Sequence, residues 1–339
     1  MKQNKNIFIL GIESSCDDTS VAITHNNKVI SNIVSSQKIH QKFGGVVPEL
    51  ASRSHQNNII PVVSNALKIA NIHQSQLNAI AFTRGPGLLG SLLVGTSFAK
   101  SLSLALNIPL IDVNHMKAHV IANFINNDNI SFPLLCLTVS GGHTQIVFVK
   151  SIYEMEIIGE TLDDSAGEAF DKSAKMLGLK YPGGPIIEKM ANISNKEEKY
   201  TFPEPKIDGL NFSFSGLKTH ISRFIKKEKE KNDNFIKNNL NELCFSIQKR
   251  IISILINKLI QAIKQTNIKN VAIAGGVASN KYFRNEIKKL EKELNIKTFS
   301  PEIQYSTDNA AMIALSGYYK YLKKDFAKLD IEPKARYII

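Results

Sequence analysis

His115-Met-Lys-Ala-His119 sets two imidazoles four residues apart, which on a helix brings both to one face within reach of a single metal ion. The same spacing also suits two polar residues on a partly exposed helix face. A zinc peptidase of the H-E-x-x-H kind needs a glutamate after its first histidine as general base, and here Met116 and Lys117 fill the middle, so that chemistry is disfavoured. A third ligand should be a carboxylate from elsewhere. Asp308, in Ser306-Thr-Asp-Asn-Ala-Ala311, opens a predicted helix after a strand and can be either that ligand or the helix N-cap. Two histidines and one aspartate leave positions open for a substrate oxygen, which suits a Lewis-acid or substrate-orienting ion.

Three glycine-bearing loops could meet a nucleotide. In Thr138-Val-Ser-Gly-Gly-His-Thr144 the glycines let backbone approach a phosphate or carboxylate, and Ser140 and His143 add polar side chains, although a plain hairpin turn would also use Gly141 and Gly142. Val271 to Asn280 reads as a buried strand running through Gly275-Gly276 into a helix, a joint that can pack against a nucleotide or merely be tight. It lacks both the G-x-G-x-x-G spacing and the G-K-[ST] of a P-loop, which excludes a Walker-type phosphoryl-transfer site. In the third, Gly167 to Lys172 followed by Tyr181-Pro-Gly-Gly-Pro185, the carboxylates of Asp171 and Glu188 could accept hydrogen bonds from a ribose or base beside Gly184. Turn chemistry explains the prolines and glycines there but not the carboxylates.

Strand, polar turn, strand is the pattern that must position these groups. Ile7 to Ile12, the turn Glu13 to Asp18, and Thr19 to Thr24 show it first, with a third strand at Lys28 to Ser36. A helix from Pro48 to about Ala70, a strand at Leu77 to Thr83, a helix from Leu88 to Leu106 and a strand at Ile108 to Val113 follow. Pro133 to Val139, the Ser140–His143 turn and Thr144 to Val149 repeat the opening, which predicts two related α/β lobes, 1–132 and 133–307, with 308–339 rejoining the first. Helices are expected at Ala166 to Leu177 and Leu240 to Lys264, with Lys226 to Asp233 a solvated helix end. Paired turns whose N–H groups face phosphates from opposite sides are the logic of the actin-like, sugar-kinase-like ATPase architecture.

Composition bounds the rest. A chain of 339 residues with 43% hydrophobic and 21% charged residues is ordinary globular protein, long enough for two cores. Its net charge of +12 favours a polyanionic partner, although the abundance of Lys, Asn and Ile is also what an AT-rich genome produces. Cys16, Cys136 and Cys244 lie far apart and predict reduced thiols. No run of eighteen apolar residues is present and the opening apolar stretch is too short for a signal peptide, so the expectation is a cytoplasmic chain with no membrane contact.

Taken in order, GIESSCDDTS (11–20), H-x-x-x-GGVVPE-x-A-x-R-x-H (40–55), TRGPGL-x-GSL-x-VG (83–95), H-x-K-A-H (115–119), VSGGHT (139–144), GEAFDK (167–172), YPGGP (181–185), FSFSGLKT (212–219), AGGVASN (274–280) and STDNAAMIA (306–314) resemble one family across nearly the whole chain. It is the bacterial tRNA adenosine threonylcarbamoyltransferase family, formerly described as a glycoprotease. The resemblance implies two ribonuclease-H-like lobes of the actin-like ATPase superfamily with a cleft between them. It further implies one divalent ion, iron or zinc, on His115, His119 and Asp308. Threonylcarbamoyl-AMP would contact Thr138, Val139, Ser140, Gly141, Gly142, Asp171, Gly184 and Asn280, with Glu188 joining the ribose contacts.

The reaction so implied is acyl transfer to N6 of the adenosine beside a tRNA anticodon, with AMP leaving. Glu13, Asp17 and His143 are the candidates to take the amine proton. Arg53, Lys117, Lys218, Lys320, Lys323 and Lys324 are candidate RNA contacts. The family works with an inactive paralogue and a small P-loop ATPase, which agrees with the missing Walker motif. Two rivals stay open on sequence: an actin-like ATPase or kinase, and a non-catalytic tRNA-binding scaffold.

Overall fold

The computed structural model describes residues 6–195 and 197–339. In chain order it forms β1 (Phe8–Glu13), β2 (Asp18–His25), β3 (Lys28–Ser36), α1 (Pro48–Ala70), β4 (Ala79–Gly85), α2 (Leu89–Leu106), β5 (Leu110–Asn114) and α3 (His115–Ile121). There follow β6 (Leu134–Val139), β7 (Thr144–Val149), β8 (Met155–Glu160), α4 (Ala166–Met176), α5 (Gly183–Ala191), α6 (Ser215–Lys231) and α7 (Phe235–Thr266). The chain ends through β9 (Asn270–Ala274), α8 (Lys281–Leu294), β10 (Lys297–Phe299) and α9 (Ala310–Leu322). It divides into two compact units, one running to Ile130 and resuming at Pro301–Ile339, the other Ser131–Ser300.

Each unit is built on a five-stranded sheet of one design. The first has the order β3-β2-β1-β4-β5 and the second β8-β7-β6-β9-β10, with the first three strands antiparallel and the last two parallel to the central one. The echo legible at two turns therefore extends through both sheets. Ile9, Leu10 and Ile12 of β1 are fully buried, as expected of a central strand covered on both faces. Helices stop at asparagine rather than glycine: Asn71, Asn107, Asn267 and Asn295 take φ of 53°, 52°, 55° and 49° after α1, α2, α7 and α8. The asparagine-rich composition thus supplies C-caps.

Sequence periodicity located most of this but not all. β8, α5 and β10 were not foreseen: β10 has three residues, and α5 opens on Gly183-Gly184-Pro185, which reads as a turn. Lys226 to Lys231 is the end of α6, as expected. In α7 the non-helical Asn239 (φ −129°) explains why the pattern reads only from Leu240. Among the described residues α2 is long and apolar enough to cross a membrane, although polar residues such as Ser91, Thr96 and Lys100 interrupt its apolar run. Here it packs on β4 and α1, with Ser91 and Gly95 set against Ser14 just past the end of β1, and Ser91, Leu92, Gly95, Thr96 and Ala99 are buried.

The position of α9 matters most for the site. A Cβ on Gly11 of β1 would stand 2.5 Å from Ala314 N and 2.7 Å from Ala310 O, and one on Gly317 would stand 2.5 Å from Ala81 Cβ. Only glycine lets α9 lie this close to the sheet. Gly11→Ala is expected to destabilise the chain by about 2–3 kcal/mol, because the neighbours are backbone atoms that cannot turn aside. Urea unfolding with an unchanged slope would report it; an unchanged midpoint would show that α9 can lift off.

Candidate functional site

β5 delivers the histidine pair. Asn114, its last residue, caps α3 by accepting from the N–H groups of Met116 (2.9 Å) and Lys117 (3.1 Å), so His115 and His119 begin a helix and share its inner face. Asp308 arrives from the turn before α9. The N-cap of that helix is Asn309, whose Oδ1 accepts from Met312 N (3.2 Å), which leaves the Asp308 carboxylate to the histidines. The cap reading of Asp308 is thereby replaced.

Three donor atoms converge. His119 Nε2 stands 3.2 Å from His115 Nε2 and 3.2 Å from Asp308 Oδ1, and His115 Nε2 stands 3.5 Å from that same oxygen. Two donors held by one divalent ion at about 2.0–2.2 Å lie roughly 3.0–3.5 Å apart, so the triangle fits a single ion. His115 and His119 are buried, whereas the Asp308 side chain keeps 26% of its surface exposed, which leaves an approach for a further ligand.

Glu13 is the partner that the sequence did not reveal. Fully buried at the end of β1, it accepts through Oε2 from His115 Nδ1 (3.0 Å) and Thr83 Oγ1 (2.6 Å), and through Oε1 from Ser15 N (2.6 Å). Ligating imidazoles are commonly oriented by such a carboxylate on the other ring nitrogen. Burial works against charge on His115, but Glu13 and Asp308 outweigh it and hold its pKa well above the ordinary range. Burial likewise opposes ionisation of Glu13 and Asp308, and His115 outweighs it in both, keeping both carboxyls below their usual values. His119 is pushed down by burial, and its Nδ1 has no hydrogen-bond partner among the described residues.

Glu13 was a candidate to take the substrate proton. With both oxygens engaged inside the protein it is instead placed to orient His115. Asp17 is half-buried and raised by burial, and burial, with the negative Asp308, Asp17 and Glu13 adding to it, pushes Asp18 up to about 7. Glu13 and Asp308 flank the His115 imidazole from either side, and Asp17 and Asp18 add to the acidic field that Asp308 stands in, a field that a divalent cation would relieve. The loop between β1 and β2, which holds Asp17, is itself fixed: His55 Nε2 donates to Cys16 O (2.9 Å), which leaves Nδ1 to accept from Thr19 Oγ1 (2.8 Å). His55, which closes the 40–55 stretch and has no role legible in the sequence, thus has a structural one.

The second unit holds the nucleotide-loop candidates. Thr138 and Val139 are buried in β6 and offer no exposed side chain. After them Ser140 N donates to His143 O (2.8 Å) and His143 N to Ser140 Oγ (3.1 Å), closing the turn. The turn sits on the start of α4, where Ser165 Oγ donates to Gly141 O (2.6 Å) and a Cβ on Gly167 would stand 2.4 Å from Ser140 O. Gly275 (φ 85°) packs equally close to Val139 O, so the loops after the parallel neighbours β6 and β9 meet at one end of the sheet. Ligands commonly bind at that end.

Asp171, Glu188 and Asn280 have structural partners that the sequence did not show. Asp171 Oδ1 accepts from Gly183 N (2.7 Å) and Gly184 N (3.3 Å), capping α5. Glu188 Oε1 accepts from Lys281 N (2.7 Å) at the start of α8. Asn280 caps α8 through Phe283 N (2.9 Å) and donates to Gln248 Oε1 (2.8 Å). The view that these carboxylates lack a structural explanation is therefore corrected. Two RNA candidates are tied down as well: Lys218 pairs with Asp164 (2.8 Å) and Lys320 with Asp112 (2.8 Å). Among the described residues Arg53 pairs only with exposed Glu49, and Lys117 is half-buried with its pKa lowered by that burial.

Among solved structures, full-length HypF in its phosphate- and nucleotide-bound form is similar at TM-score 0.63 and 15% identity, over 96% of this chain and 57% of that one. Component A of the (R)-2-hydroxyglutaryl-CoA dehydratase of Acidaminococcus fermentans gives 0.54 and 15%, over 93% and 99%. At such identities the likeness shows the actin-like ATPase fold, which hosts many reactions. Sequence relatives are far nearer. The tRNA N6-adenosine threonylcarbamoyltransferase of Christiangramia forsetii is 57% identical over 98% of this chain and 99% of its own length, and that of Riemerella anatipestifer 53% over 99% and 98%. The family described as TsaD: tRNA N6-adenosine threonylcarbamoyltransferase matches residues 28–315. With relatives so close along its full length, the chain belongs to the tRNA N6-adenosine threonylcarbamoyltransferase family and is a transferase that modifies tRNA.

Proposed function

We propose that this chain moves the threonylcarbamoyl group from threonylcarbamoyl-AMP to N6 of adenosine 37 in tRNAs that read codons beginning with A, with one divalent ion, iron in preference to zinc, on His115, His119 and Asp308. The observation that carries the metal assignment is the triangle of Nε2, Nε2 and Oδ1. Bound there, the ion would orient the threonine end of the donor and polarise its oxygen. The amine forms a bond to the carbamoyl carbon, the bond from that carbon to the AMP phosphate oxygen breaks, and N6 gives up a proton. With Glu13 enclosed, Asp17 and His143 are the groups proposed to receive it. Dialysis of metal-stripped protein against Co2+ or Zn2+ should return one ion per chain; none retained would remove the metal assignment.

The adenylate is assigned to the loop after β6 because the fold does not require its glycines. Added Cβ atoms on Gly141 and Gly142 would meet nothing within 4 Å, and neither residue has positive φ. Their N–H groups donate to no protein acceptor among the described residues and are suited to phosphate oxygens and to charge that develops as AMP leaves. Gly184, whose Cβ would make only an ordinary 3.8 Å contact with Phe170, is assigned to the same ligand, in contrast to Gly183, which packing on Ala174 demands. Gly141→Ala and Gly142→Ala should therefore leave the thermal midpoint unchanged while raising KM for the adenylate about tenfold. An unchanged KM would sink the loop assignment.

The net charge of +12 supports tRNA as the polyanionic partner. The family resemblance supports an inactive paralogue and a small P-loop ATPase as helpers, and work in the cytoplasm, where tRNA is found.

A further inference from the structure

Beyond α9 the chain turns back across the first unit's sheet. Ala327 N donates to Leu110 O (2.8 Å), Lys334 N to Arg84 O (2.8 Å) and Arg84 Nε to Glu332 O (3.0 Å), which lays the tail along the ends of β4 and β5. Tyr337 anchors it. The Arg84 guanidinium lies 5.1 Å and the Lys334 ammonium 5.4 Å from the centre of its ring, and its hydroxyl donates to Asp112 Oδ2 (3.5 Å). This anchorage is mostly at the surface, so the tail adds little to the core; Glu332, Lys334, Ala335, Arg336 and Ile338 are exposed.

What the tail reaches is the support of the histidine pair. Asn114 Nδ2 donates to Tyr337 O and Ile338 O, both at 3.2 Å, while Oδ1 of the same amide caps α3. One side chain therefore clasps the tail with its donor and the histidine-bearing helix with its acceptor, which of the polar side chains of this length only an asparagine amide can do. A second link runs in parallel. Gly87 N donates to Ala335 O (3.1 Å), Leu88 N donates to Ser15 O (2.8 Å), and Ser15 Oγ lies 3.4 Å from His115 Nδ1.

We propose that residues 332–338 form a strap that positions α3 through Asn114, so that docking of the tail and metal affinity at His115 and His119 are coupled. Asn114 and Tyr337 are positioning residues, and the coupling rests on the metal assignment made above. Reciprocity follows: whatever loosens the tail weakens the ion, and the ion protects the tail.

Two full-length variants separate the strap from general stability. Asn114→Ser keeps an acceptor for the cap, but its shorter side chain and single hydroxyl proton cannot replace the two amide N–H donors to Tyr337 O and Ile338 O, and Tyr337→Ala removes the ring anchor while leaving Asn114 intact. Both should bind Co2+ about tenfold more weakly, the scale of an outer-shell change, with a thermal midpoint close to that of the wild type. In metal-free protein both should exchange the Met116 and Lys117 amide protons faster than the wild type, and Co2+ should slow exchange of the Lys334 amide in the wild type. Co2+ affinity in both variants indistinguishable from the wild type would overturn the proposal. If the wild type itself takes up no Co2+, the metal assignment has failed, and exchange at Met116 and Lys117 alone decides whether the strap positions α3.

Discussion

His119→Ala is expected to lose the bound ion and to lower threonylcarbamoyl transfer by roughly a thousandfold, the scale of removing several kcal/mol of transition-state stabilisation. His119 is fully buried, and its Nε2 faces both His115 Nε2 and Asp308 Oδ1, so no neighbouring donor can replace it. The fold should survive, since the Nδ1 of this imidazole has no partner among the described residues and α3 keeps its cap on Asn114. Metal content by mass spectrometry and single-turnover transfer are the two readouts. Full metal content with lost activity would make His119 a group that meets the substrate instead, and full activity would dismiss the site.

Glu13→Gln tests the layer behind the ligands. The amide keeps the shape but not the charge that holds His115, and affinity for the ion should fall about 10- to 100-fold at high pH. The pH dependence has a definite sign. In the metal-free wild type Glu13 and Asp308 raise the pKa of His115, so binding must displace a proton, and apparent affinity grows as pH rises. Without the Glu13 charge His115 loses its proton at lower pH, so the variant suffers less proton competition. Its deficit should therefore be widest at high pH and narrow on acidification. A deficit constant with pH would mean that Glu13 acts only by shape.

Local signals in the sequence located the candidate ligands that the structure brings together, and long-range contacts supplied their partners. The H-x-x-x-H spacing is written in five residues, and Asn114, two positions away from the first N–H it caps, completes the helix start. That Glu13 is the partner of His115 depends on β1 and β5 flanking β4, a pairing across about a hundred residues that no periodicity records. Ser306-Thr-Asp-Asn309 offered four side chains able to cap a helix, and only packing shows Asn309 doing so. Asp171 and Glu188 looked spare because their acceptor roles toward Gly183 and Lys281 lie 12 and 93 residues along the chain. The tail was silent for the same reason: it has no apolar period, and its meaning lies in Arg84 and Asn114.

The most direct measurement is mass spectrometry of nucleosides from unmodified tRNA incubated with the purified protein, its proposed partner proteins and threonylcarbamoyl-AMP. Wild type, chelator-stripped wild type, reloaded wild type and His115→Ala would run side by side. The account predicts a threonylcarbamoyl mass gain on adenosine with the wild type, its loss on stripping, its return on reloading, and none with His115→Ala. An equal gain from the stripped protein and the variant would contradict it.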